Sequence, residues 1–373
     1  MSPTEILRFR AGHRVALFDE GRAAFVAMED AIAEAKEHVH FETYILRTDR
    51  LGKRMLDLLA RRAREGVAVR VIYDAMGSRG IDRRMLASFA ADGVEFESWN
   101  PPARWLWRFR PRERDHRKLL LVDGRIGFLG GLNVGDEYVG GGRDRLPWRD
   151  AHVRLEGPGL NELEAIFVES WFRVGGPSFD WRPGVAREPE GGGEHDVAIL
   201  ADGPTYPRRR MRDFFLDELA KAESHVLLVS PYFAPGPRVL DAIEAASDRG
   251  VAIELVMAGR TDHPLMRRAA RVLSARLIER GVRVFEEPRA MMHAKLAAFD
   301  DRVAVVGTSN LDRQSLRHSC EVNAVFVGVE VPAWIRANFG PARPGLTELE
   351  APTRGRGPLR WIADRWAMFW AEL

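Results

Sequence analysis

His116 and Lys118 recur as His293 and Lys295, each pair separated by one residue. The same offsets then bring Asp123, Gly130 and Asn133 in the first copy, and Asp300, Gly307 and Asn310 in the second. The chain has 56 basic residues, yet lysine occurs only at Lys36, Lys53, Lys118, Lys221 and Lys295. A chain that otherwise uses arginine has kept a compact ammonium at two equivalent places, which asks for a chemical reason. Two histidines, two lysines and two asparagines converging on one spot suit phosphoryl chemistry. One imidazole attacks phosphorus and the other protonates the leaving oxygen, while Lys118, Lys295, Asn133 and Asn310 stabilise charge on the non-bridging oxygens. This set calls for no metal ion and no cofactor.

A histidine used in this way needs its second ring nitrogen held by an acceptor, usually a carboxylate. Glu321, 28 residues beyond His293, is the candidate in the second half. In the first half, for His116, we prefer Asp150. Asp144 keeps the 28-residue offset but falls beside the glycine run Gly140-Gly141-Gly142. Gly130, Gly131, Gly307 and Ser309 are expected to let backbone come close to a phosphate. Asp123 and Asp300 stand some five residues past the lysines, about 16 Å along an extended strand. They are assigned to turn geometry and not to bond making.

The elements that carry these groups can be read from periodicity. Lys118 to Val122 is apolar, Asp123-Gly124 is a hairpin signal, and Ile126 to Leu129 returns. Leu296 to Phe299 and Val303 to Val306 repeat the pattern around Asp300. Alternation along a strand puts His116 with Lys118 on one face, and His293 with Lys295. Upstream, each half reads helix, strand, helix, strand, ending in Gly66 to Tyr73 and in Gly250 to Met257. The expectation is therefore α/β: two similar domains with mixed, mainly parallel sheets flanked by helices, in a pseudo-two-fold arrangement around one shared cleft. Residues 1–185 form the first half, 186–196 a linker of proline and glycine, 197–345 the second half, and 346–373 an amphipathic tail.

Composition sets outer limits. The 46% hydrophobic and 29% charged residues describe a folded chain, and a net charge of +2 lacks the dense basic character of a nucleic-acid binder. The single cysteine, Cys320, excludes an internal disulfide and reads as a small buried hydrophobe. No stretch has the length of a signal peptide's apolar core or of a spanning helix, so the chain is expected to be soluble or peripheral to a membrane. His152 and His263 read as structural, and Tyr44 and Tyr232 as packing residues near strand ends.

The paired motifs resemble those of the phospholipase D superfamily over nearly the whole chain. The flanking pieces resemble bacterial cardiolipin synthases of the phospholipase D type. They include Asp115 to Lys118, Gly130 to Asn133, Asp136 to Tyr138, Trp148 to Val153, Glu156 to Pro158, Ser230 to Phe233 and Ser309 to Leu316. The resemblance implies a phosphohistidine intermediate, with His116 as nucleophile and His293 as general acid, although the residues themselves leave that order open. It implies transfer of a phosphatidyl group to phosphatidylglycerol at the inner face of a bacterial membrane, with phospholipids as partners. Asp115, where these synthases often have asparagine, and Cys320 before the glutamate depart from the pattern. Hydrolysis to phosphatidic acid is the same reaction with water as acceptor. Nuclease and non-catalytic readings are less consistent with the near-neutral charge and the two intact motifs. Trp105, Trp107 and Phe109, interleaved with arginines before His116, are candidates for a membrane or lipid entrance. Ile362, Trp366, Phe369 and Trp370 share a helical face that either packs on the body or meets the membrane.

Overall fold

The protein is described by a computed structural model covering residues 7–101, 113–140, 146–181, 192–203, 209–351 and 365–368. Strands of the first half are β1 (Arg10–Phe18), β2 (His38–Thr43), β3 (Ala68–Asp74), β4 (Glu95–Trp99), β5 (Leu119–Val122), β6 (Ile126–Gly130) and β7 (His152–Glu156). The second half supplies β8 (His195–Asp202), β9 (His225–Val229), β10 (Phe233–Ala234), β11 (Ala252–Ala258), β12 (Arg283–Glu287), β13 (Leu296–Phe299), β14 (Val303–Gly307), β15 (Leu311–Asp312), β16 (Glu321–Val327) and β17 (Thr347–Glu348). All but β10 and β15 join one 15-stranded sheet, in the order β17-β12-β11-β9-β13-β14-β16-β8-β1-β7-β6-β5-β2-β3-β4. Read outward from the β1–β8 contact, the two arms repeat each other strand for strand, with β17 an addition at one edge.

Within the large sheet, parallel ladders are confined to β2–β3–β4 and to β9–β11–β12, and the separate β10–β15 pair is also parallel. The remaining ladders of the large sheet are antiparallel. This corrects the expectation of mainly parallel sheets. Helical crossovers build only the outer part of each arm, and the motif hairpins β5–β6 and β13–β14, joined to β7 and β16, fill the centre. β17 pairs with β12, Ala367 is buried, Met368 packs on the second-half core, and Trp366 is exposed. Ile362, Phe369 and Trp370 lie outside the described residues.

Local chemistry explains the flanking helices. In Arg50–Arg64 the buried Leu51, Met55, Leu56 and Leu59 form one stripe, and the Asp49 carboxylate caps the start by accepting from Gly52 N–H. Pro237 and Pro264 open Pro237–Asp248 and Pro264–Ile278, where the missing N–H costs nothing. Three apolar layers result. One lies under the outer helices of each half, and the third, shared by both halves, lies beneath Leu160–Val174 and Glu330–Phe339.

Candidate active site

The two motifs meet where the arms touch. Beyond the ladders, isolated parallel bridges join Asp115 to Cys320 and Arg149 to Met292. His116 N–H donates to Cys320 O at 3.0 Å, and His293 N–H to Arg149 O at 2.6 Å. Each histidine is thus stitched by its own backbone to the opposite half, one residue before that half's carboxylate.

The carboxylates are consequently crossed. His116 Nδ1 lies 3.1 Å from both oxygens of Glu321, and His293 Nδ1 lies 2.7 Å from Asp150 Oδ2. This overturns the assignment of Asp150 to His116 and of Glu321 to His293. Offsets along the chain assumed partners within one half, whereas the bridges exchange them. Asp144 lies outside the described residues. With Nδ1 engaged in each ring, Nε2 is left for the cleft, whose wall includes both imidazoles.

The cleft encloses about 570 Å³. Tyr44 stands edge-on to His116 with centroids 4.9 Å apart, and Tyr232 edge-on to His293 at 6.4 Å. Both tyrosines line the cleft rather than serving only as packing, and so do Asn133, Asn310 and His263. Asn133 is already committed on two sides: its amide donates to Tyr138 Oη at 2.9 Å and its Oδ1 accepts from Ile45 N–H. Asn310 Oδ1 is buried without a hydrogen-bond partner.

Both motif lysines are buried and fold back onto the carbonyl of the histidine two residues earlier, Lys118 at 2.7 Å and Lys295 more closely still. Lys295 Nζ also lies 2.8 Å from His293 Nδ1. Burial pulls Lys118 down to about 7, helped by repulsion from Lys295, and burial pulls Lys295 down to about 8. The same burial and the two ammonium groups hold His116 well below its ordinary value, and His293 at about 4. Burial raises Glu321 to about 7, against the pull of Lys118. Neutral imidazoles beside two buried lysines make a site suited to a phosphodiester anion.

The glycines have a different duty from the one expected. Backbone N–H groups of Gly131, Gly307, Thr308 and Ser309 are all satisfied within the protein. A Cβ on Gly131 would sit 1.9 Å from the Asp150 carboxylate, and one on Gly307 would sit 2.1 Å from Asn323 Oδ1. Gly130, at φ +151°, packs against Ala151 and His152. These glycines therefore clear space for the groups behind the histidines and do not form a phosphate cradle, while the Ser309 hydroxyl accepts from Asn323 Nδ2 at 2.9 Å. Asp123 and Asp300 lie at the hairpin turns with φ of 53° and 52°. Asp123 accepts backbone N–H bonds from Lys36, Glu37 and His38, and Asp300 from Glu223, Ser224 and His225, so each ties the start of β2 or β9 to its turn.

Two members of the site escaped the sequence. Thr308 donates its hydroxyl to Glu321, and Tyr138 places its own 3.3 Å from His293 Nδ1. Comparing the copies could have found Thr308, because Gly-Gly-Leu-Asn in one becomes Gly-Thr-Ser-Asn in the other. His152 is buried, and burial lowers it to about 3. Trp105, Trp107 and Phe109 lie outside the described residues.

Comparison with known proteins places this geometry. A family model described as cardiolipin synthase, PLD-like domain, matches residues 28–145 and 215–341. Cardiolipin synthase 1 of Bacillus anthracis is 32% identical over 342 residues, 90% of this chain and 67% of that protein. A cardiolipin synthase of Staphylococcus aureus strain N315 is 33% identical over 328 residues, 87% of this chain and 66% of its own length. The chain thus spans about two thirds of these curated relatives. Among solved structures, a phosphatidylserine synthase of Haemophilus influenzae Rd KW20 superposes with a TM-score of 0.76, covering 98% of this chain and 96% of its own at 15% identity. That likeness establishes the fold. With the two motif-bearing segments matched by one family model, the chain belongs to the cardiolipin synthase PLD-like domain family of the phospholipase D superfamily.

Proposed function

We propose that this chain is a phosphatidyltransferase that makes cardiolipin from phosphatidylglycerol and a second phospholipid through a phosphohistidine. The observation that carries the reading is the crossed pair, His116–Glu321 and His293–Asp150, opening on one cleft beside two buried lysines. The names of the curated relatives supply the substrate class.

Neutral His116 attacks phosphorus through Nε2, the bond from phosphorus to the leaving oxygen breaks, and His293 delivers a proton to that oxygen. Glu321 fixes the attacking tautomer and stabilises the charge that grows on the ring. His293 must be protonated to act, although burial and the two ammonium groups hold it at about 4. A bound phosphodiester anion offsets Lys118 and Lys295 and raises the ring toward protonation, with Asp150 supporting the cation. In the second step His293 takes the proton of a phosphatidylglycerol hydroxyl, whose oxygen attacks the phosphohistidine and frees His116. Asn133 and Asn310 lie on the cleft wall to bind the non-bridging oxygens. The bound phosphodiester anion favours the charged forms of Lys118 and Lys295, which then offset the charge on the phosphoryl group, so the reaction itself requires no metal.

Access to lipid is proposed to be peripheral, from the inner face of the membrane, with Trp105, Trp107 and Phe109 at the entrance. No helix among the described residues is long and apolar enough to cross a membrane. The test is incubation with phosphatidylglycerol vesicles in excess chelator, followed by lipid analysis. Cardiolipin is the expected product. Phosphatidic acid alone would replace transfer by hydrolysis, and loss of turnover in chelator would overturn metal independence.

A further inference from the structure

At the far end of β2 from the cleft, two more imidazoles and a carboxylate converge. Val39 and Phe41 pack under the outer helices, so His38 and His40 face the helix Leu160–Val174. Glu164 of that helix reaches between the rings. One oxygen lies 2.9 Å from His38 Nε2 and the other 2.7 Å from His40 Nδ1. One ligand atom from each residue falls within 4.8 Å of the others. The trio borders a cavity of about 450 Å³ whose wall also includes Asp180.

The fold does not require this chemistry. Asp123 ties His38 N–H as Asp300 ties His225 N–H, so β2 and β9 are in register. Leu227 then occupies the place of His40, fully buried in the shared core. A plain leucine fills the position in the other copy of the same architecture.

We propose that His38, His40 and Glu164 bind a divalent transition ion of the zinc type, with an imidazole nitrogen from each histidine and a Glu164 oxygen as ligands. Two nitrogens and one oxygen match that ion's preference, and the cavity leaves the fourth position for water or Asp180. Ligation through His40 Nδ1 puts the ring proton on Nε2, which lies 3.4 Å from Arg70. Arg70 has other partners, the Phe179 ring at 3.8 Å and Glu95 at 3.4 Å. His40 is four residues from Tyr44 along the chain, roughly 13 Å if extended. The ion would therefore clasp β2 to its helix and take no part in phosphoryl transfer.

The full chain, stripped with chelator and dialysed, is titrated with Zn²⁺ and separately with Co²⁺. Wild type is expected to take up one ion at this site, raise its Tm on binding and show a low-coordinate Co²⁺ absorption band. His40→Leu, Glu164→Gln and His38→Gln should each lose all three signals, while cardiolipin formation is unchanged. His40→Leu installs the residue that β9 already tolerates, and the two other variants guard against misfolding of any one. Absence of uptake by wild type, or equal uptake by the three variants, overturns the site and leaves a hydrogen-bonded triad. Because ion uptake and Tm are read independently of lipid products, failure here is separable from failure of the transferase reading.

Discussion

His116 is held by Glu321 from 205 residues away, and the reciprocal hold on His293 comes from Asp150. Because the orienting groups cross, each half supplies one imidazole and the support for the other. The two carboxylates should therefore fail in different steps.

Glu321→Gln is expected to block formation of the phosphohistidine, lowering turnover by about 10²–10⁴-fold. Asp150→Asn should impair the acid instead. With a donor whose leaving group needs no proton, such as a nitrophenyl phosphodiester, Asp150→Asn should still give a burst of covalent phosphoenzyme and Glu321→Gln should not. Quench-flow with acid-stable and acid-labile phosphate separated decides it, and the opposite assignment would exchange nucleophile and acid.

His116→Ala and His293→Ala are each expected to abolish cardiolipin formation with the fold intact by circular dichroism. On the nitrophenyl donor only His293→Ala should retain the first step. Full activity in either variant with natural lipid would sink a shared centre.

Lys118 carries its charge in the fold only below about 7, whereas an unfolded lysine stays protonated to about 10.5. Between these values the unfolded chain binds the extra proton, so this group makes stability rise with pH. Lys118→Met should accordingly be more stable than wild type below pH ~7, with the advantage fading toward ~10.5, while transfer is lost. Urea melts at several pH values test it, and a gain that grows with pH would refute the buried-charge account.

Gly131→Ala would drive a Cβ into the Asp150 carboxylate, whereas Thr308→Val removes only a hydroxyl from Glu321. Gly131→Ala is expected to cost about 1–3 kcal/mol in stability and to lose turnover with it. Thr308→Val should remain folded, with turnover down by roughly tenfold, the scale of one lost hydrogen bond to a charged group. Thermal melts beside initial rates check both, and an active Gly131→Ala would mean that Asp150 has room to move.

The chemistry was legible in the chain because histidine and lysine recur at fixed spacing in a background of arginine. Order along the chain also revealed the repeated helices and strands. Pairing across the sheet was not legible. Asp115–Cys320 and Arg149–Met292 are contacts over long separations, and nothing in a local offset predicts that they exchange carboxylates. Parallel pairing was overestimated because helix–strand alternation dominates the outer arms, while the motif hairpins add antiparallel ladders at the centre. The glycines misled for a related reason. Absence of a side chain looks the same in sequence whether the vacated space receives a ligand or, as at Gly131, a neighbouring carboxylate.

The join between β1 and β8 has a mechanical consequence. It makes both arms part of one hydrogen-bonded sheet, continued on either side by the β1–β7 and β16–β8 ladders. Swinging the arms apart like a clamshell would tear that backbone seam, so the two histidine-bearing halves are held at one spacing by main-chain hydrogen bonds rather than by side chains alone.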